Sequence, residues 1–279
     1  MQTRKTFIST SAKKTVINTL IILFIVYLIL CVVLFFFQER LIFLPEKLKP
    51  DFTFNFKSRF EEIHFKTTDN KSLHGVLFKS DRPAGLIFYL HGNAGSINSW
   101  GEVANTYTHL GYDVFLLDYR GYGKSEGAIT SQEELFGDVE LVYDQMKKRY
   151  GEDKIVILGF SIGTGPATKL ASSNNPRMLI LEAPYYSLTD MMRRRFPIFP
   201  TFLLKYKIRT DQFIKNCQMP VVIFHGDRDA VIYYGSSLKL KRLLKQNDTL
   251  ITLPGQGHNG MTENPDYKTE IRRILSSHH

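Results

Sequence analysis

A chain of 279 residues with 43% hydrophobic and 23% charged residues has material for one large domain with a sizeable core, or two small ones. Its net charge of +9 is local: residues 1–15 carry +4 and residues 187–217 carry +5, so the remainder is neutral and a general nucleic-acid-binding surface is excluded. Two cysteines, Cys31 and Cys217, form no disulfide framework, so the redox chemistry of the compartment is not legible.

Residues 1–15 form a basic tail with Arg4, Lys5, Lys13 and Lys14 and no acid. Residues 16–37, VINTLIILFIVYLILCVVLFFF, contain no charge. As a helix this run is roughly 33 Å long, enough for a hydrocarbon core of about 30 Å. A cleaved signal peptide would have a shorter apolar run and small residues at its exit, whereas FFFQER offers nothing small. The expectation is a retained single-pass membrane helix, which makes the lipid bilayer a partner. The tail favours a cytoplasmic N-terminus with the following domain on the far side. Arg40, Lys47, Lys49 and Lys57, just beyond the helix, weigh against that orientation.

Residues 38–59 read as a connector lying along the membrane or the domain, and residues 60–279 as one domain. It opens with two strand-like runs around the turn-prone Asp69-Asn70. Six apolar runs follow, at 85–90, 112–119, 154–160, 178–183, 220–226 and 248–254, each suited to a strand buried on both faces. Between them lie stretches long enough for crossover helices. In one of these, Ser131 and Glu134 form a capping box, Leu135, Val139, Val142 and Met146 give the apolar stripe, and Gly151 is the stop. This alternation predicts an α/β domain with a mostly parallel sheet covered by helices on both faces. Residues 184–219 break the rhythm with prolines, aromatics and bases, and read as a lid inserted over the C-terminal sheet edge, where parallel sheets place their sites.

At 154–167 the chain reads KIVILGFSIGTGPA, in which Gly159-Phe160-Ser161-Ile162-Gly163 satisfies G-x-S-x-G between a strand and a helix. Glycines on either side of a serine held at a sharp turn spare it the side chains that would collide with it. Such a serine needs a base and an acid to orient that base, supplied in the order Ser, Asp or Glu, His. Asp229 stands just past the strand ending in VVIFHG, and His258 sits in the glycine-rich loop LPGQGHNG. Asp227 is the competing acid, read as a turn residue. An oxyanion would be held by the backbone N–H of Ile162 and by one from HGNAGS at 91–96, assigned to Asn93 with Ala94 as fallback. His91 is read as packing and bonding beneath that loop, with Tyr119 and Arg120 bracing it.

Together YLHGNAGS, LLDYRGYGKSEG, GFSIGTGPA, HGDRDAVI and GQGHNG resemble the α/β-hydrolase superfamily. Within it they are most similar to the membrane-anchored branch of bud-emergence-like proteins and their bacterial relatives, also grouped with serine-aminopeptidase-like hydrolases. The resemblance extends over about residues 38–277, and it implies an α/β-hydrolase fold with an eight-stranded sheet. It also implies for Ser161, Asp229 and His258 the same roles as the residue reading.

Gly123-Lys124-Ser125 is only a fragment of a phosphate-binding loop, because Asp118 stands where its first glycine should be. No H-E-x-x-H or cysteine pair at metal spacing occurs, so neither metal nor other cofactor is expected. In the lid, Met191, Met192, Phe196 and Phe199 either line a groove for an acyl chain, with arginines towards anionic headgroups, or belong to a solvated lid that only packs on the core. The leading expectation is a membrane-anchored serine hydrolase cleaving an ester or thioester through an acyl-enzyme, on small-molecule, lipid-like or acylated substrates. The alternatives are an aminopeptidase-type serine peptidase, for which Glu182 would have to grip a free amine, and a non-catalytic membrane scaffold.

Overall fold

The computed structural model describes residues 10–276, so Arg4 and Lys5 of the basic tail lie outside the described residues. Helix α1 (Thr10–Phe37) is long and apolar enough to cross a membrane, and the rest of the chain covers almost none of it. Apart from the two-residue strands Leu44–Pro45 and Ala94–Gly95, eight strands follow: β1 (Phe60–Lys66), β2 (Ser72–Phe78), β3 (Gly85–Leu90), β4 (Tyr112–Asp118), β5 (Ile155–Phe160), β6 (Met178–Glu182), β7 (Val221–Gly226) and β8 (Thr249–Leu253). They form one sheet in the order β8-β7-β6-β5-β3-β4-β2-β1. Strand β2 runs antiparallel to both β1 and β4, and the other pairings are parallel.

The continuous apolar runs are explained by burial on two faces. In β3, Leu86, Phe88 and Leu90 enter one core cluster while Ile87 and Tyr89 enter the other. Each such side chain contributes about 1.5–3 kcal/mol when fully removed from water. Helix α2 (Gln132–Tyr150) covers the first face with Leu135, Val139, Val142 and Met146, joined by Ala167 and Leu170 of α3 (Thr164–Ser173). The Ser131 hydroxyl accepts the Glu134 N–H at 3.0 Å, but the Glu134 carboxylate reaches back to the N–H of Thr130 rather than that of Ser131. Gly151 ends α2 at φ +79°. Tyr267, Ile271, Ile274 and Leu275 of the last helix, Pro265–Ser276, cover the second face.

The connector is held against the domain. Leu44–Pro45 pairs in parallel with Ala94–Gly95, and the Glu46 carboxylate accepts the Ser96 hydroxyl at 2.6 Å. The longest helix of the lid, Leu188–Arg195, is capped by Ser187, whose hydroxyl accepts the Asp190 N–H at 3.0 Å. Beyond that helix the lid lies along the end of α1. The Tyr27 hydroxyl donates to the Ile198 carbonyl at 2.9 Å, and the Tyr27 and Phe199 rings stack with centroids 5.8 Å apart. Gln38 donates to the Leu203 carbonyl at 3.0 Å and accepts the Lys205 N–H at 2.8 Å.

Candidate active site

Strand β5 delivers Ser161 into a tight turn before α3, with Ser161 at φ +54°. A non-glycine residue in this left-handed region costs about 1–3 kcal/mol and persists only where the surroundings enforce it. The flanking glycines are required for a different reason than a collision with the serine. A Cβ on Gly159 would lie 2.6 Å from the Gly163 carbonyl oxygen and 2.7 Å from the Ala167 Cβ, while one on Gly163 would lie 2.1 Å from the Leu90 carbonyl oxygen. The turn is therefore pressed against the start of α3 and the end of β3, which brings Ile162 beside the loop that follows β3.

His258 Nε2 lies 3.0 Å from Ser161 Oγ, and His258 Nδ1 lies 2.7 Å from Asp229 Oδ2. A carboxylate only accepts, so Nδ1 carries the proton and Nε2 is left to accept from the serine hydroxyl. Asp229 Oδ1 accepts the N–H groups of Val231 and Ile232 at 2.8 and 2.9 Å. Burial acts to raise the Asp229 carboxyl, but hydrogen bonds from His225 and His258 outweigh it and hold the group well below the usual carboxylate range. Asp227, the competing acid, accepts the Gly255 N–H at 2.7 Å and so ties down the loop that carries His258.

His225 was not singled out from the sequence. Its Nε2 lies 2.9 Å from the Ile232 carbonyl and 3.2 Å from Asp229 Oδ2, two acceptors, so the ring proton sits there. Nδ1 then accepts the Ser237 hydroxyl at 2.7 Å. Within VVIFHG the histidine reads as one more strand residue, and only the turn at 226–229 brings it back to the carboxylate.

In the loop after β3, His91 Nδ1 donates to the Gly92 carbonyl at 2.8 Å, and the Tyr119 hydroxyl donates to the His91 carbonyl at 3.0 Å. Across a trans peptide the next N–H points opposite to the carbonyl, so the bond to the Gly92 carbonyl fixes the direction of the Asn93 N–H. The Asn93 carbonyl accepts from the Leu44 N–H at 2.9 Å and the Tyr122 hydroxyl at 2.7 Å, which fixes the Ala94 N–H in the same way. Arg120 lies further out, bonded to Asp138 and Asp69. Burial lowers the His91 imidazole below its ordinary value and keeps it neutral.

Two cavities of similar size share no lining residue. One, of about 340 Å³, is almost wholly apolar and is lined by Met191, Met192, Phe196 and Phe199 of the lid together with Leu34 near the end of α1 and Ile42 just beyond it. The Asn93 side chain reaches the Ile42 carbonyl at 3.4 Å, so this groove ends near the loop after β3. The other, of about 390 Å³, is lined by Trp100, Phe160, Glu182, Asn259 and Met261 among others. Among the described residues no group of three or more His, Cys, Asp or Glu side chains is placed to hold a metal ion.

A family model described as alpha/beta hydrolase fold matches residues 85–213. The lysophosphatidylserine lipase ABHD12 of Danio rerio is 32% identical over 194 residues, 62% of this chain and 50% of its own. The mouse protein of that name is 33% identical over 176 residues, 56% of this chain and 44% of its own. The chain thus spans about half the length of the curated relatives it matches. Among solved structures, an esterase of Pyrococcus furiosus superposes with a TM-score of 0.67 at 19% identity, covering 85% of this chain and 97% of its own. Est1E of Butyrivibrio proteoclasticus, solved with ferulic acid bound, gives 0.61 at 20% identity, covering 77% and 96%. The strand order, the serine turn and these matches agree on one fold, that of the α/β hydrolases.

Proposed function

We propose that the protein is a membrane-anchored serine hydrolase that cleaves carboxylic ester or thioester bonds of lipid-like or acylated substrates through an acyl-enzyme. The observation that carries this reading is the unbroken hydrogen-bonded line from Ser161 Oγ through His258 to Asp229, with the serine held at φ +54°. In the proposed reaction His258 Nε2 takes the hydroxyl proton as Ser161 Oγ bonds to the substrate carbonyl carbon. The negative charge on the carbonyl oxygen meets the N–H groups of Ile162 and Asn93. His258 then returns the proton to the leaving oxygen or sulfur, and the acyl group stays on Ser161. A water molecule, deprotonated by the same nitrogen, attacks the acyl carbon and releases the acid and the free serine.

The apolar groove between the lid and the end of α1 supports an acyl chain as the bound portion, with Met191, Met192, Phe196 and Phe199 as its walls. A chain leaving a bilayer alongside α1 would enter it without crossing water. The names of the Danio rerio and mouse relatives favour lipid-like substrates as well. Membership of the bud-emergence-like branch, and a cytoplasmic N-terminus as favoured by Arg4, Lys5, Lys13 and Lys14, belong to the same proposal.

A fluorophosphonate probe tests the reaction class. The full chain in detergent should take up one adduct, mapped by peptide mass to Ser161. No adduct, or an adduct elsewhere, overturns the reading.

Tyr122→Phe separates the two donors that this loop offers. The Tyr122 hydroxyl holds the Asn93 carbonyl, which shares its peptide with the Ala94 N–H, whereas the Asn93 N–H belongs to the peptide whose carbonyl His91 holds. With the Asn93 N–H as donor, kcat on a nitrophenyl ester should stay within about twofold. A fall of roughly fivefold with KM little changed, the effect of about 1 kcal/mol of lost orientation in the transition state, would move the role to Ala94.

A further inference from the structure

The larger cavity contains a buried acid that the proposed reaction does not use. Its walls adjoin three parts of the candidate centre: Ala94 follows Asn93, Phe160 precedes Ser161, and Asn259 follows His258. At its base, at the C-terminal end of β6, Glu182 is only 1% exposed. Its Oε1 accepts the Tyr107 hydroxyl at 3.0 Å and also the Tyr267 hydroxyl, and these two hydroxyls lie 2.7 Å from each other. Among the described residues no donor meets Oε2, and no lysine, arginine or histidine pairs with the carboxylate.

An acid in that position is costly unless something compensates it, because desolvation penalises the charge and the two tyrosines satisfy only one oxygen. Burial accordingly raises the Glu182 carboxyl, against the opposing hydrogen bonds of Tyr267 and Tyr107, to about 7. No other charged side chain lines the cavity, whose walls include the rings of Tyr89, Trp100 and Phe160 beside the neutral polar Ser99, Asn259 and Thr262. An unpaired carboxylate oxygen beside aromatic faces is the combination that receives an organic cation, by direct charge and by cation–π attraction.

Which part of the substrate carries the cation follows from the proposed function, on which this step rests. The acyl chain is assigned to the apolar groove, which shares no wall with this cavity. The leaving group must depart beside His258 Nε2, which protonates it, and residues 259–262, immediately after His258, line this cavity. We propose that the cavity binds an ammonium group on the alcohol portion of the ester, with Glu182 Oε2 as its counter-ion and Trp100 and Phe160 as its aromatic walls.

Two esters of the same fatty acid test this: decanoylcholine, and 3,3-dimethylbutyl decanoate, which has the same shape with carbon in place of the charged nitrogen. The full chain in neutral detergent at pH 8, where Glu182 is ionised, should favour the choline ester in kcat/KM by about tenfold. Glu182→Gln, which keeps an acceptor for the tyrosines, should bring that ratio close to one. If thermal melting shows the variant unfolded, the wild type decides: tetramethylammonium chloride should inhibit choline-ester turnover more than sodium chloride at equal ionic strength. A wild type without preference, a ratio unmoved by Glu182→Gln, or equal inhibition by the two salts overturns the proposal. Faster cleavage of aminoacyl-anilides than of the matching acyl-anilides, lost in Glu182→Gln, would move the cation to the acyl side and replace the leaving-group assignment with a peptidase. Absence of any turnover together with absence of the Ser161 adduct would instead remove the hydrolase reading underneath.

Discussion

Asp229→Asn should lower kcat on a soluble nitrophenyl ester by about 10⁴-fold while leaving the fold intact. The reason is geometric. Asp229 Oδ1 accepts two backbone N–H groups, from Val231 and Ile232, and an amide nitrogen cannot take that place because it only donates. The asparagine must therefore put its oxygen there and turn its NH₂ towards His258 Nδ1, where Asp229 Oδ2 now stands at 2.7 Å. A donor facing Nδ1 forces the ring proton onto Nε2. The nitrogen that lies 3.0 Å from Ser161 Oγ can then no longer accept the serine proton. His225 does not rescue the arrangement, since its Nε2–H remains bound to the Ile232 carbonyl at 2.9 Å. Asp227→Asn is the control: its oxygen can still accept the Gly255 N–H, so kcat should stay within about threefold, far less than the loss of a charge-assisted pair would cause. Stopped assays and a thermal melt of each variant check both statements. A fall below about 30-fold for Asp229→Asn, or equal falls at the two positions, would reject Asp229 as the orienting acid.

Much of the fold is legible in the sequence because its signals are local. A strand buried on both faces is an apolar run wherever it occurs, and the six runs from 85 onwards match β3 to β8 to within a residue at either end. The serine turn is legible for the same reason, since the close contacts of Gly159 and Gly163 are made within the strand–turn–helix unit and with the adjacent strand β3. What the sequence does not reveal is set by distance along the chain. Tyr107 and Tyr267 lie 75 and 85 residues from Glu182 and meet it only because two helices fold onto one face of the sheet. The pairing of Leu44–Pro45 with Ala94–Gly95 is too short for any periodicity to announce. Of the lining of the apolar groove, only the lid residues Met191, Met192, Phe196 and Phe199 stand out in the sequence. Leu34 and Ile42 complete it because Gln38, buried and bonded to both Leu203 and Lys205, fastens the end of α1 to the lid.

That attachment leads to the second large effect. Tyr27 lies ten positions before the end of α1 and is bonded to Ile198, so the lid runs alongside about the last 15 Å of the helix. If α1 crosses a bilayer, this part of the lid lies at the depth of the adjacent hydrocarbon. Ile198 is 69% exposed and Phe202 77% exposed, and isolated in water such side chains would have no compensation. On the proposed membrane reading they would be buried in lipid beside the helix. An aspartate at hydrocarbon depth costs about 2.5–3.5 kcal/mol, and less at the interface. The double change Ile198→Asp with Phe202→Asp should therefore slow hydrolysis of a long-chain ester in vesicles by about 10²-fold. Neither side chain touches the Ser161, His258 and Asp229 line, so hydrolysis of nitrophenyl butyrate in solution should remain within about twofold. If both substrates slow alike, the two positions act through the fold. If neither slows, the lid does not reach the lipid, and an acyl chain must find the groove from water.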